Sequence, residues 1–199
     1  MRSAPSDPAG AQRAAVQAGA GEVDAVLFAS ADKASSWLAV AATTGLLEDI
    51  RRRAATGRLL LAATSPTAAG PLRAEALHHV VAESGEGGSL ARCVIAHFGG
   101  DGAPRLRTDA GRLEVRSGGA LIDARFVPLS RTSASLLEAL FMARGRVLSR
   151  VEIAHALPGP SRTAHAVEAA VARLRDSLDD ANLVQTVVKR GYRLAVTGV

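Results

Sequence analysis

The sequence predicts an α+β chain in two parts: a partial parallel α/β layer, then a β-meander, three helices and a C-terminal β-hairpin. Three observations carry that expectation. In the first half, continuous apolar runs alternate with helical stretches, the pattern of parallel strands covered by helices. In the second half, short strands separated by glycine and polar turns lead into helices with one apolar stripe, and then into two final strands. Between the halves, "FGGDGAPRLRTDAG" (Phe98 to Gly111) is rich in glycine and lacks periodicity, so residues 99–111 are expected to be a linker.

The opening "MRSAPSDPAGAQRAA" holds two prolines and no continuous apolar core, which excludes a secretory signal and predicts a disordered arm over residues 1–20. Residues 21–98 form the α/β segment. "DAVLFAS" (Asp24 to Ser30) is expected to be a buried parallel strand, followed by a helix with Trp37, Leu38 and Val40 and another in "LLEDIRRRAAT". "RLLLAAT" (Arg58 to Thr64) is a second buried strand, ended by Pro66. A short helix around Leu72 to Leu77, a third strand in "HHVVAE" and a helix near Ser89 to Phe98 complete the segment.

Residues 112–199 have a different rhythm. "RLEVRS", "GALIDA" and "RFVPLS" predict an antiparallel meander. A helix from about Thr132 to Ala143 turns Leu136, Leu137, Leu140 and Phe141 inward and stops at Gly145. Ser149 and Glu152, three residues apart, form a capping box that opens a short second helix, which "PGP" (Pro158 to Pro160) ends. A third helix runs from about Thr163 to Leu178. "LVQTVV" and "YRLAV" are then two strands joined by Lys189, Arg190 and Gly191, with the glycine supplying the turn.

Composition narrows the function classes. No apolar run approaches the ~20 residues needed to cross a bilayer, so no membrane partner is expected. A single cysteine, Cys93, leaves no internal disulfide and fits a cytoplasmic protein. His155 and His165 stand apart from each other and from cysteines, so no metal is expected, and nothing calls for a cofactor. The charge is uneven. Residues 1–111 hold 11 Lys and Arg against 11 Asp and Glu, whereas residues 112–199 hold 13 against 8, so the whole net charge of +5 lies in the second part. A basic excess confined to one domain points to a polyanion partner.

The third helix and the hairpin are where such a partner would sit. Val167, Val171, Leu174 and Leu178 form one apolar stripe. At about 100° per residue, the opposite face is centred on His165, Ala169, Ala172 and Asp176, with Arg162 and Arg173 on one flank and Arg175 and Glu168 on the other. Small side chains between flanking arginines suit a helix entering the major groove of DNA, where cations meet phosphates on either wall. The same pattern also describes an amphipathic helix with a solvated face, which Glu168 and Asp176 favour. The turn cations Lys189 and Arg190 weigh on the other side, because a helix followed by a basic hairpin is a groove reader with a backbone clamp. Tyr192 stands at the root of the second strand, where it would anchor the hairpin.

With these residues in view, "RFVPLSRTSASLLEALFMARGRVLSRVEIAHAL" together with "HAVEAAVARLRDSLDDANLVQTVVKRGYRLAV" resembles the OmpR/PhoB-type winged-helix DNA-binding domain, over about residues 112–197. The resemblance implies a winged helix-turn-helix fold, double-stranded DNA as partner, the third helix in the major groove and the hairpin as a wing on the backbone. Positions 170 and 172, polar or basic in many members, are alanine here, which shifts the expected contacts to Arg162, His165, Arg173, Arg175, Lys189 and Arg190, with Ala169 and Ala172 facing the groove. No receiver domain with a phospho-acceptor aspartate precedes the linker, so control by aspartyl phosphorylation is not expected.

About residues 20–98 look like the final third of a uroporphyrinogen-III synthase, through "VDAVLFAS", "GLLEDIRRRAATGRLLLAATSPTAAGPL" and the "HHVVAE" to "GSLARCVIAHF" ending. That resemblance implies a ligand-sensing or dimerisation remnant, with a homodimer and a small acidic effector as further partners. Ser30, Ser65 and Thr67 sit where strands run into helices, either binding an acidic effector at helix N-termini or serving only as caps. The expected function is a bacterial DNA-binding transcription regulator and not an enzyme. The alternative is a tetrapyrrole-synthesis enzyme with an appended DNA-binding domain.

Overall fold

In the computed structural model, which describes residues 8–83, 87–159, 163–180 and 182–197, the chain divides into two units between Pro104 and Arg105. The first contains α1 (Pro8–Ala20), β1 (Ala25–Phe28), α2 (Ala31–Thr43), α3 (Leu47–Ala55), β2 (Leu60–Ala63), α4 (Gly70–Ala74), β3 (Val80–Val81) and α5 (Gly87–Gly99). Its three strands form a parallel sheet of order β1-β2-β3, with Ala25 opposite Leu60 and Ala62 opposite Val80. The central β2 is apolar throughout and wholly buried. The edge strand β1 departs from the expected buried strand: it has a partner on one side only, and Leu27 is 46% exposed.

The expected arm over residues 1–20 is corrected from Pro8 onward, because that stretch is α1. Its inward face is built from alanines. Ala15 and Ala18 are fully buried in a core with Phe28, Trp37, Ile50, Leu61 and Leu72. Proline at the first helical position costs nothing, since that N–H has no intrahelical acceptor. Trp37 meets Phe28 edge to face, with ring centroids 5.3 Å apart.

The second unit contains β4 (Leu106–Thr108), β5 (Gly111–Arg116), β6 (Gly119–Ile122), β7 (Arg125–Pro128), α6 (Arg131–Met142), α7 (Arg150–Ala156), α8 (Ala164–Leu178), β8 (Val184–Val187) and β9 (Gly191–Leu194). The first four strands form an antiparallel sheet in sequence order, and β8 and β9 form the hairpin. Strand β4 lies inside the stretch expected to be a linker. It buries Leu106 and Thr108 and pairs with β5, while its Arg107 carbonyl accepts the Thr197 N–H at 2.8 Å. The core is one cluster that includes Leu113 and Val115 of β5, Leu136, Leu140 and Phe141 of α6, Ile153 of α7 and the Val167, Val171, Leu174, Leu178 stripe of α8.

Two local devices fix the helices and the hairpin. At the start of α7, the Ser149 hydroxyl accepts the Glu152 N–H at 3.2 Å, and the Ser149 N–H donates to the Glu152 carboxylate at 2.8 Å. The Arg146 guanidinium donates to the same carboxylate at 2.8 Å. That hydrogen bond first, and the two to Ser149 after it, lower the Glu152 pKa to about 2. The hairpin joins the helices through a backbone pair: Leu148 N–H donates to the Tyr192 carbonyl at 2.8 Å and Tyr192 N–H to the Leu148 carbonyl at 2.9 Å. Gly191 is required there, since a Cβ on it would stand 1.9 Å from the Leu148 oxygen and its φ is +138°.

Two predictions follow from these devices. Gly191→Ala should cost about 3 kcal/mol or more through backbone strain and loss of the Leu148 pairing. The urea midpoint reported by the emission of Tyr192, the sole tyrosine, should fall accordingly, and an unchanged midpoint would show that the pairing is dispensable. Because the Glu152 pKa is depressed on folding, its contribution to stability is present above the unfolded value of ~4.3 and lost as pH falls toward about 2. The gap in Tm between the wild type and Glu152→Gln should therefore close across that interval.

Candidate nucleic-acid interface

The site is built from the face of α8 left over after its stripe is buried. Thr163 caps the helix, its hydroxyl accepting the Ala166 N–H at 3.2 Å. His165, Ala172, Arg173 and Asp176 are exposed and Ala169 is half-buried. Ala170 is 1% exposed and packs in the core, so it belongs to the inward stripe and not to a groove-facing surface. Arg162 lies outside the described residues. Among the described residues, no hydrogen bond or ion pair joins the Arg173 side chain to Asp176, Asp179 or any other group. Its guanidinium keeps its five donors available.

Arg175 is different. Its Nε and Nη2 donate to the Val184 carbonyl at 2.9 and 2.6 Å, and Nη2 also donates to the Thr186 hydroxyl at 2.9 Å. The side chain expected to contact DNA is half-buried here and folded onto β8, with three of its five donors occupied. Sequence reasoning missed this because the main acceptor is a backbone carbonyl, which side-chain identity does not reveal.

The acids of the helix are also placed. Glu168, on the shoulder of α8, pairs with Arg150 at 3.3 Å. Arg150 in turn lies 5.7 Å from the centroid of the Tyr192 ring. Arg150 escaped the sequence reading; its signal is the basic residue at the first position of α7, directly after the Ser149 cap. It pairs with the Glu168 carboxylate, and its stacking helps hold Tyr192, which is 5% exposed, at the hairpin root.

At the other end of the hairpin, Lys189 and Arg190 are exposed, and among the described residues neither side chain has a partner. The turn closes through Arg190 N–H to the Val187 carbonyl at 2.9 Å, and its left-handed residue is Lys189, with φ of +63°. The expected role of Gly191 as the turn residue is therefore corrected: it serves the approach to Leu148. Arg193 points across the strands, donating to the Gln185 side chain at 3.0 Å.

In the first unit, the Ser30 hydroxyl accepts the Lys33 N–H at 3.4 Å and the Ser65 hydroxyl accepts the Ala68 N–H at 3.1 Å. Both serve as caps of their own turns. Thr67 is exposed and lies ahead of α4, whose N-cap is Ala69 with no side-chain cap. Among the described residues, no group of three His, Cys, Asp or Glu side chains is placed to hold a metal ion. No described helix is long and apolar enough to cross a membrane.

Residues 124–194, from β7 through β9, match the family described as "Transcriptional regulatory protein, C terminal", the OmpR/PhoB-type DNA-binding domain. No curated protein matches the chain. Solved structures similar to it include the DNA binding domain of E. coli CadC, at 28% identity over 48% of this chain and 95% of that one, with a TM-score of 0.40. The response regulator AdeR DNA binding domain, solved in complex with an intercistronic region, is 20% identical over 41% of this chain and 92% of that one, with a TM-score of 0.39. The response regulator DrrB of Thermotoga maritima, an OmpR/PhoB homolog, is 16% identical over 75% of this chain and 73% of that one, with a TM-score of 0.41.

Proposed function

We propose that residues 105–197 bind double-stranded DNA and that the chain is a bacterial transcription regulator acting in the cytoplasm. In this reading α8 lies in the major groove and the tip of the β8–β9 hairpin lies on the phosphate backbone. One observation carries it. Around the helix and hairpin the cations fall into two sets. Arg146, Arg150, Arg175 and Arg193 have partners within the fold, while the side chains of Arg173, Lys189 and Arg190 are exposed with no partner among the described residues, as are those of Arg107, Arg112, Arg125 and Arg144 elsewhere on the unit. Cations without protein partners on an outward helix face and a hairpin tip suit an external polyanion. The family match over residues 124–194 supports the same reading.

His165, Ala169, Ala172 and Arg173 would face base edges, with Arg162 adding a contact before the helix. Among the described residues of that face, Arg173 alone offers the bidentate fork that reads guanine, so affinity leans on phosphate contacts more than on bases. For the first unit, the proposed role is a sensing or dimerisation module. A half-open pocket of about 490 Å³ between β3 and α5, walled by Val80, Val81, Cys93 and Ala96 with Arg92 and His97 among them, is where a small acidic effector would sit. The family match covers residues 124–194 alone and gives the expected synthase-like reading of residues 20–98 no support; the DNA-binding reading stands on the second unit.

Two measurements test this. Lys189→Ala with Arg190→Ala should weaken binding to all duplexes alike, by about 30-fold near ~0.15 M salt, and flatten the slope of log affinity against log salt by about 1.8, the signature of two lost phosphate contacts. An unaltered slope would remove the hairpin from the interface. Arg173→Ala should relax preference at one base position, losing ~1–3 kcal/mol of discrimination in a selection from randomised duplexes. A uniform loss over all sequences would reassign Arg173 to phosphate.

A further inference from the structure

We propose that Arg175 is a positioning residue: it ties β8 to α8 and so places the hairpin tip against the duplex, without touching DNA itself. The inference rests on the DNA-binding reading above. Its ground is the three donors that Arg175 spends on β8, two on the Val184 carbonyl and one on the Thr186 hydroxyl. A guanidinium is a rigid planar fork, so bonds from two of its nitrogens fix the orientation of the strand as well as its distance.

The hairpin is attached at a second place, on its other strand. Tyr192 of β9 exchanges backbone hydrogen bonds with Leu148, next to the Ser149 cap of α7. One strand is thus fastened to α8 and the other to the start of α7. Core packing of Val184, Tyr192 and Leu194 seats the hairpin, and the two polar attachments on different strands set its tilt. Lys189 lies five residues beyond Val184, roughly 15 Å along an extended chain. A tilt of about 10° at the root moves a tip at that reach by about 3 Å, the full length of a hydrogen bond to phosphate. The tip cations therefore depend on Arg175 for their place.

The test uses the full chain and a fluorescent mixed-sequence DNA duplex, with affinity measured against salt. Arg175→Met and Thr186→Val are each made in the wild type and in the Lys189→Ala, Arg190→Ala background. In the wild-type background, Arg175→Met should reproduce most of the 30-fold loss and of the 1.8 flattening expected for the tip variant. Thr186→Val, which keeps the Arg175 charge and removes one acceptor, should reproduce part of both. With the tip cations already gone, neither substitution should weaken binding further. A further loss from Arg175→Met in that background would make Arg175 a direct contact and overturn the inference, as would a neutral Thr186→Val. If Arg175→Met does not fold by circular dichroism, Thr186→Val decides alone. Should the wild type show no salt-dependent binding to duplex DNA, the DNA-binding reading fails and the inference fails with it; salt-dependent binding with a neutral Thr186→Val overturns the inference only.

Discussion

The backbone pair between Leu148 and Tyr192 is the contact on which the second unit turns. Two residues more than forty positions apart exchange both of their N–H to carbonyl hydrogen bonds, at 2.8 and 2.9 Å. Such closeness needs a neighbour with no side chain, and Gly191 is that neighbour. Once the pair forms, Tyr192 is carried into the core, where Arg150 covers its ring. Arg150 at the same time holds Glu168 of α8. One backbone pairing thus brings the hairpin root, the first turn of α7 and the flank of α8 into one neighbourhood, and the placing of the exposed cations follows from it.

The partition of the arginines is a consequence of that neighbourhood. Side chains close to the junction find acceptors: Arg146 on Glu152, Arg150 on Glu168, Arg175 on Val184 and Thr186. Those that point away from it, Arg173 on the helix and Lys189 and Arg190 at the tip, have no partner among the described residues. Elsewhere in the unit, Glu114 is shared by Arg105 and Arg116, while Arg107, Arg112 and Arg125 of the four-stranded sheet are exposed with no side-chain partner among the described residues. The exposed pairs, Arg146 with Glu152 and Arg150 with Glu168, contribute little to stability each, at ~0–1 kcal/mol. The effect of all these pairs is selective, because they neutralise Glu114, Glu152 and Glu168 and engage several of the arginines.

What could be read from the sequence follows the range over which each feature is encoded. The α8 stripe was legible because Val167, Val171, Leu174 and Leu178 recur at helical spacing within the segment, and the α7 capping box because Ser149 and Glu152 are three apart. Helix α1 was not, because its buried face is alanine and its large apolar partners, Phe28 and Trp37, come later. Strand β4 was hidden by its three-residue length and by a hydrogen bond to a residue far along the sequence, Thr197. Of the candidate site, the tip cations and the outward residues of α8 were legible by position. The engagement of Arg175 was not, since a backbone carbonyl leaves no mark on side-chain identity, and the need for Gly191 appears only when Leu148 is brought beside it.

Under the proposed reading, these constraints bear on how sequence-selective the chain can be. The groove-facing centre of α8 is Ala169 and Ala172, which offer no hydrogen bonds, and the core claims Ala170. Removing Arg175 from the reading face leaves Arg173 and His165 as the described side chains able to discriminate bases. Small residues still have a use, since they let the helix backbone sit deep enough for Arg173 to reach a base edge and for alanine methyl groups to meet thymine methyl groups. Deep seating in turn demands that the hairpin approach the backbone at one fixed angle, which the Leu148 pairing and the Arg175 bonds supply from opposite strands. Rigidity of the scaffold then substitutes for number of base contacts: a few contacts discriminate only if the phosphate contacts hold them in one register.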